Sequence, residues 1–277
     1  GLHFGVTASV ADDKTEVTKW TYNTKIPSYG ATGWWDKSAY KEGMVLGDIW
    51  GLQFDRFLTE DDFNADGSLK AGLPDQTKVF PAGYQFAPGD VLYKDLDNNG
   101  EIVKQTNTND KGDLSVIGNA LPRLQFGLNL DAAWKGFDIS MFFQGVAKRK
   151  LWAAGNQVLP GFTTGEPFYK GAEDYWTPEN TDAFYPRPMD YKQSASGNYS
   201  VNDRYLLNMA YLRLKTFTVG YSLPKVWLSK FKVQGLRVYF TGENLFTIDG
   251  VKPAIDPEIG IRTASGKSDQ RNFGRSY

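Results

Sequence analysis

Residues 95–100 carry the side chains best suited to chemistry, because oxygen-bearing side chains recur there at every second position. Asp95, Asp97 and Asn99 precede Gly100, which matches the opening of a D-x-[DN]-x-[DN]-G calcium loop. Calcium takes about 6–8 oxygen ligands, and the glycine permits the sharp turn that aims them at one centre. The pattern predicts a calcium site, with an acidic glycine turn that holds no ion as the alternative.

The spacing departs from the calcium-loop pattern at the twelfth position, where Thr106 stands in place of the bidentate Glu. The missing ligand has to come from Asp110 or Asp113, and Glu101 is expected to contribute only its backbone carbonyl. We therefore expect weak affinity, on the order of 10⁻⁴–10⁻³ M, with calcium as the candidate cofactor. The ion would order the approach to the strands that follow rather than touch a substrate.

Tryptophans in the irregular segments form a second candidate set, because flat apolar rings stack on sugars or meet partner side chains. The candidates for substrate or partner binding are Trp34, Trp35, Trp50, Trp152 and Trp176. The alternative is packing, since large ordered loops need small cores of their own. Packing is the favoured interpretation for any single one of them.

Composition argues against catalysis. Cys is absent and His3 is the single histidine, which excludes disulfides, thiolate metal sites and histidine relays. Adjacent acids such as Glu60 and Asp61, or Glu173 and Asp174, do not by themselves provide the carboxylate separation that glycoside hydrolysis needs. We predict that the chain is not an enzyme. Basic and acidic residues number 31 and 32, so no basic excess points to nucleic acid.

The element expected to organise the chain is a hairpin within residues 121–146. Apolar side chains alternate with polar ones on both sides of a turn at Lys135 and Gly136, at Leu124, Phe126, Leu128, Leu130, Ile139, Met141 and Phe143. If the strands cross a bilayer, these residues face lipid, and the lumen side carries Gln125, Asn129, Asp131, Asp138, Ser140 and Gln144. The strand length suits a tilted crossing of about 9–11 residues, and Trp134 and Phe137 flank the turn as interfacial aromatics do.

Further strands are predicted at about residues 2–10, 15–22, 210–221 and 236–246, with a short amphipathic helical turn within 222–235. Alternation is imperfect in the third of these, because Arg213 and Lys215 fall on the face of Phe217. Six strands would make three hairpins separated by long loops at about 23–122 and 148–209. All short turns then lie at one end, as in outer-membrane barrels. Because such barrels need at least about 8 strands, six cannot close one.

Short motifs recur in a fixed order along most of the chain, at Gly89 and Asp90, 93–102, Asp113, 116–119, Pro122, 127–129, 134–138, 142–145, 185–187, 211–215, 220–224, 236–240 and 243–246. In order and spacing they resemble the C-terminal part of SusC/RagA-type TonB-dependent outer-membrane transporters. The resemblance implies an all-β fold, an antiparallel transmembrane β-barrel segment with long extracellular loops. Residues 1–277 would form the C-terminal part of a barrel of about 22 strands that holds a plug domain.

The plug domain, the earlier strands and the closing strand do not occur in the sequence, so the chain is expected to be a piece of a longer protein. The resemblance further implies import of glycan oligomers or peptides across the outer membrane of a Gram-negative, Bacteroidetes-like bacterium. The implied partners are a SusD-like surface lipoprotein, outer-membrane lipid and TonB, which acts through the missing N-terminal part. The competing class is a soluble β-sandwich carbohydrate-binding module, with an enzyme third. No run of about 18 apolar residues predicts a membrane-spanning helix.

Overall fold

The computed structural model describes residues 1–20, 42–104, 111–153, 158–161, 170–189, 197–251 and 255–258. The chain divides into two compact units. The first comprises Gly1–Lys14, Pro122–Arg149 and Asn208–Val251, and the second comprises Thr15–Leu121, Lys150–Leu207 and Lys252–Tyr277. Within the described ranges, no helix has the length and apolar character needed to cross a membrane.

Strands are the main secondary structure of the described residues, and they range from 2 to 13 residues in length. In chain order these are β1 (His3–Ala11), β2 (Asp48–Gly51), β3 (Phe54–Phe57), β4 (Val91–Tyr93), β5 (Ser115–Asn119), β6 (Arg123–Trp134), β7 (Phe137–Lys148), β8 (Lys150–Leu151), β9 (Leu207–Asn208), β10 (Tyr211–Ser222) and β11 (Arg237–Asp249). One α-helical turn, α1 (Lys225–Leu228), is followed by a 3-10 turn at Ser229–Phe231. This pair confirms the helical turn predicted within 222–235.

The first unit is a single antiparallel sheet in the order β1-β6-β7-β10-β11. The hairpin predicted between residues 2–10 and 15–22 is wrong, because β1 pairs with β6 instead. Within the described residues 15–20, pairing is limited to an isolated bridge from Glu16 to Val45. The segment 15–22 alternates poorly, so it has no continuous apolar face to fix a register, whereas β6 offers one along its whole length.

The hairpin predicted around Lys135 and Gly136 is confirmed as β6 and β7, each of 12 residues. Lys135 and Gly136 have φ values of 48° and 91°, the left-handed geometry that a two-residue hairpin turn requires. A Cβ on Gly136 would lie 2.8 Å from the Ser222 carbonyl oxygen, so glycine is also demanded by close approach. The connection from β10 to β11 lies at this same end of the sheet, and both long segments leave from the opposite end.

A register shift in β10 explains the irregular alternation of this strand. Its pairing with both neighbours shifts by one residue between Leu214 and Thr216. Relative to β7 the extra residue is Lys215, which makes a β-bulge and reverses the alternation beyond it. Relative to β11 the extra residue lies in β11, where Asn244 and Leu245 stand opposite Lys215. Arg213 therefore lies on the opposite face from Phe217, which corrects the prediction that they share one.

The second unit builds its own apolar core, although its sequence shows no sustained alternation. Its two-stranded sheets include β2 with β5 and β3 with β4. A cluster of buried side chains joins residues from distant segments, including Leu52, Phe57, Val79, Phe80, Val91, Tyr93, Ile102, Leu114, Trp176 and Ala183. Strands of three to five residues are too short to show a clear period, so these ordered segments read as loops in the sequence.

Buried side chains complete the hydrogen bonding of β4. Asn198 Oδ1 accepts the Val91 amide hydrogen at 2.7 Å, and Gln76 Nε2 donates to the Val91 carbonyl oxygen at 2.8 Å. Gln76 Oε1 also accepts from the Tyr93 amide at 3.2 Å. Because unsatisfied buried backbone groups are costly, these two side chains take the place of a strand neighbour and tie residues 76 and 198 to β4.

Candidate functional site

The five-stranded sheet has one apolar and one mainly polar face, because residues paired across antiparallel strands project to the same side. The register places these side chains on the apolar face: Phe4, Val6, Ala8, Val10, Phe126, Leu128, Leu130, Ile139, Met141, Phe143, Leu214, Phe217, Val219, Val238 and Phe240. The other face carries His3, Thr7, Ser9, Gln125, Asn129, Asp131, Asp138, Ser140, Gln144, Arg213, Thr216, Thr218 and Thr241. Leu124 has a φ of 52°, so simple strand alternation does not assign its side.

The apolar face is open to the surroundings at the edges of the sheet. Phe4 on β1 is 72% exposed and Phe240 on β11 is 62% exposed. A soluble sandwich needs such a face covered by a second sheet, since burying it supplies most of the folding free energy. The exposed edges of this face therefore speak against the β-sandwich alternative and favour an apolar environment around the sheet.

Aromatic rings collect at the end of the sheet that carries the short connections. Trp134 and Phe137 flank the hairpin turn and are each about half exposed. The ring of Phe137 lies 4.4 Å from that of Tyr221 on β10. Trp227 and Phe231, in the connection from β10 to β11, are also exposed. Amphipathic rings at one level of a sheet are typical of a membrane–water interface.

The structure brings three of the predicted metal ligands together in the second unit. Carboxylate oxygens of Asp95, Asp97 and Asp113 all lie within 4.8 Å of one another. Asp113 is fully buried, and its two oxygens accept the amide hydrogens of Leu96 at 2.7 Å and Val103 at 2.8 Å. These hydrogen bonds fix the orientation of the Asp113 carboxylate. Asp113 is one of the two residues expected to replace the missing Glu ligand. The other replacement, Asp110, lies outside the described residues, as does Thr106.

Several of the predicted ligands also form hydrogen bonds or ion pairs within or beside the turn. Asn99 Oδ1 accepts the amide hydrogen of Glu101 at 2.8 Å, and the Glu101 carboxylate pairs with Lys78 Nζ. Asp95 Oδ2 accepts the Gly100 amide hydrogen at 2.8 Å. The Glu101 side chain is thus directed to an ion pair, and the contribution of its backbone carbonyl to an ion stays a prediction.

The negative charges of the three carboxylates in this cluster repel one another. Desolvation and the nearby carboxylates of Asp95 and Asp113 raise the pKa of Asp97. A bound cation would relieve that repulsion and favour the charged forms. The geometry is therefore able to hold a hard cation such as calcium, and the calcium site stays a prediction.

The exposed fraction of each candidate tryptophan shows whether its ring packs inside the protein or is open to solvent. Trp152 and Trp176 are only 4% and 6% exposed, and Trp176 belongs to the apolar core of the second unit. Trp50 is half-buried and packs against the same core. Packing, the favoured interpretation, fits the burial of Trp152 and Trp176 in the second unit, and ligand contact by any of the candidate tryptophans stays a prediction. Trp34 and Trp35 lie outside the described residues.

A cleft of about 590 Å³ lies in the second unit and was not singled out by the sequence. Its lining includes Tyr175, Tyr185, Pro186 and Tyr199, with Lys170 and Glu173 among the exposed residues. Burial, followed by the charge of Asp174, raises the pKa of Tyr185 to about 12, so its hydroxyl stays neutral near pH 7. The Tyr-Pro-Arg-Pro run at 185–188 is the signal that marks this place.

Backbone pairing sets the two rings Tyr175 and Tyr185 next to each other. The Trp176 amide donates to the Tyr185 carbonyl at 3.0 Å, and the Tyr185 amide donates to the Asp174 carbonyl at 2.9 Å. Tyr175 and Tyr185 are bridge partners in this short parallel pairing. Because neighbouring residues of an extended segment point to opposite sides, Tyr175 lines the cleft while Trp176 enters the core.

The fold and the two-faced sheet define a class: an antiparallel β protein built on an amphipathic sheet whose long strands have the length of membrane-crossing strands. No family model matches the chain. The chain is 29% identical over 243 residues to TonB-dependent receptor P3 of Formosa agariphila, covering 86% of this chain and 21% of that protein. TonB-dependent receptor P26 of the same organism is 34% identical over 166 residues, covering 58% and 16%.

Solved structures show the same fold. A chain from the structure of the RagAB peptide transporter matches with a TM-score of 0.61 and 18% identity, covering 94% of this chain and 24% of that one. A chain of the RagAB peptide importer in the closed-closed state matches with a TM-score of 0.56 and 17% identity, covering 94% and 25%. The chain spans about a sixth to a quarter of the length of these relatives.

These comparisons confirm the resemblance to SusC/RagA-type TonB-dependent transporters: the chain is similar in sequence to TonB-dependent receptors and shares the fold of part of the RagAB transporter.

Proposed function

We propose that the chain forms part of the wall and the extracellular loops of a TonB-dependent importer in the outer membrane of a Gram-negative bacterium. The observation that carries this proposal is the five-stranded sheet with one apolar and one polar face. Its strands have 9 to 13 residues, enough for a tilted crossing of about 9–11 residues. The apolar face meets lipid, and the polar face meets the lumen of a closed barrel completed by other strands.

The end with the two short connections is the periplasmic end in this proposal, and the two long segments are extracellular. The cargo is glycan oligomers or peptides, and solved relatives that carry peptide transport in their titles support the second. A SusD-like surface lipoprotein would cover the extracellular side, and TonB would supply energy to the whole receptor. These properties belong to the whole receptor of which the chain forms a portion.

The absence of cysteine from the chain allows a direct test of the two faces. Leu128→Cys and Asn129→Cys, neighbours on β6 with opposite orientations, are each labelled with a fluorophore in the complete receptor reconstituted in vesicles. Brominated lipids are expected to quench the label at residue 128 strongly and the label at 129 weakly. Equal quenching at both positions, or quenching by a water-soluble agent at both, would refute the membrane assignment.

Transport is tested separately in cells. A strain that lacks the receptor is compared with its parent during growth on oligopeptides and on glycan oligomers as sole nutrient. We expect a growth defect on one cargo that the intact gene restores and that loss of TonB reproduces. Normal growth of the deletion strain on both cargos would contradict the importer proposal.

A further inference from the structure

We propose that the cleft lined by Tyr175, Tyr185, Pro186 and Tyr199 binds a short peptide with free termini, an assignment that rests on the proposed importer function. This cleft is called the tyrosine cleft below. Its volume of about 590 Å³ lies within the range of about 300–1,000 Å³ typical of small-ligand sites. The described residues that line the tyrosine cleft all belong to the second unit.

Buried aromatic rings form the floor of the tyrosine cleft. Tyr185 and Tyr199 are 7% and 3% exposed, whereas Tyr175 is 40% exposed and stands at the rim. The pairing of Tyr175 with Tyr185 fixes the spacing between floor and rim. Proline lacks an amide hydrogen, so the wall at Pro186 offers rings and methylenes rather than a backbone donor. Such a surface suits apolar side chains and extended peptide backbone.

Two opposite charges lie on this otherwise apolar lining. Lys170 and Glu173 are both exposed and both line the cleft. An unblocked peptide carries an ammonium group at one end and a carboxylate at the other, which match Glu173 and Lys170 respectively. Charge complementarity of this kind orients a ligand and suppresses ligands that lack the charges.

A neutral oligosaccharide fits the same lining less well. It has no charged group for Lys170 or Glu173, so it would exchange hydrogen bonds with these side chains without forming an ion pair with either. Charge-assisted hydrogen bonds are roughly twice as strong as neutral ones, so the two peptide termini gain more from Glu173 and Lys170 than sugar hydroxyls do. The lining therefore favours a short peptide over a glycan as the occupant.

Calorimetry on the complete receptor tests this assignment with three probes: trileucine, trileucine with an acetylated N-terminus and an amidated C-terminus, and maltotriose. We expect trileucine to bind and the blocked form to bind about tenfold more weakly, because both terminal charges are lost. Lys170→Gln and Glu173→Gln are each expected to weaken trileucine binding about three- to fivefold, as exposed ion pairs allow. Tyr175→Ala should cost about tenfold, and Tyr175→Phe, which keeps the ring, should bind as the unmodified receptor does.

Matched controls are available outside the cleft. Lys70→Gln and Glu179→Gln remove charges from exposed positions that do not line it, and both should leave trileucine binding unchanged. Trileucine binding that is insensitive to all three cleft variants would overturn the assignment. Maltotriose binding at equal strength, lost in Tyr175→Ala, would also overturn it and make the cleft a glycan site.

The two proposals fail in distinguishable ways. If the receptor restores growth on oligopeptides but Tyr175→Ala leaves trileucine binding intact, the cleft assignment fails and the importer function stands. If the deletion strain grows normally on both cargos while trileucine still binds in the tyrosine cleft, the importer function fails and the cleft remains a peptide site.

Discussion

Arg187 Nε donates to Asp90 Oδ1 at 2.8 Å, which joins two segments 97 residues apart in the second unit. Asp90 is fully buried and also accepts from the Tyr84 hydroxyl, the Ala87 amide hydrogen and the side-chain amide of Asn198, each at 2.9 Å. Both partners of the ion pair belong to motifs that carry the family resemblance, Gly89 with Asp90 and residues 185–187. The motifs thus mark a packing junction of the second unit as well as the strands of the sheet.

Removing the Arg187 guanidinium from the pair with Asp90 should destabilise the second unit. Arg187→Ala leaves the Asp90 carboxylate buried without its counter-charge, and breaking such a pair costs about 3–5 kcal/mol. Hydrogen-exchange mass spectrometry of residues 84–93 in the complete receptor measures the loss as faster exchange. Lys78→Gln breaks the exposed pair with Glu101 and should change amide exchange far less. If Arg187→Ala and Lys78→Gln accelerated amide exchange equally, burial of the Arg187–Asp90 pair would not explain its stabilising effect.

A second ion pair should make the second unit sensitive to acid. Arg56, with hydrogen bonds of 2.6 and 2.7 Å, lowers the pKa of Asp62 from 3.8 to about 2. Because the folded pKa is the lower one, the stabilisation is complete above about pH 4 and is lost as the pH falls towards 2. We expect a loss of roughly 1–2 kcal/mol, reduced by the exposure of the Arg56 side chain.

The measurement for this pair is the free energy of local opening of residues 54–63 between pH 5 and pH 2. Asp62→Asn removes the titrating group and should flatten this pH dependence. Asp61→Asn, a neighbouring exposed carboxylate, should preserve it. A pH profile that is unchanged in Asp62→Asn would show that other groups cause the acid sensitivity.

A charge introduced on the apolar face of β6 should destabilise the protein more than the same charge on its polar face. Leu128 lies opposite Phe143 on the apolar face, so Leu128→Arg should destabilise the protein in a bilayer by about 2–4 kcal/mol if it sits near the midplane. Asn129→Arg places the same charge one residue away on the polar face and should cost little. Urea unfolding of the receptor in lipid vesicles provides both values. A larger cost for Asn129→Arg would reverse the assignment of the faces.

The Asp95 cluster should respond to calcium. Addition of Ca²⁺ is expected to slow amide exchange in residues 95–103 with a midpoint on the order of 10⁻⁴–10⁻³ M. Asp97→Asn removes one of three carboxylates and should weaken the effect at least about tenfold, whereas Asp113→Asn would also disturb the backbone that Asp113 holds. Asp66→Asn, in an exposed turn closed by Ser68, is the control. Absence of any calcium effect up to about 10 mM would leave a simple acidic turn.

Local patterns in the sequence were enough to predict the hairpin of β6 and β7, the strand β10, the helical turn around α1 and the turn at Asp95–Gly100. Each depends on residues that are close in sequence, through the strand period of two or the backbone preference of glycine. The amphipathic character of the sheet also follows from that period. Its interruption at Lys215 did not, because a bulge is set by the pairing of β10 with both neighbours.

Contacts between distant segments were decided only by the tertiary structure. The partner of β1 is β6, more than 100 residues away, since strand pairing depends on a matching register rather than on sequence order. Asp113 joins Asp95, Asp97 and their turn because buried amides hold its carboxylate. Trp176 is core and its neighbour Tyr175 lines a cleft, a difference that one position in the chain cannot reveal, because burial is a property of the whole set of neighbours.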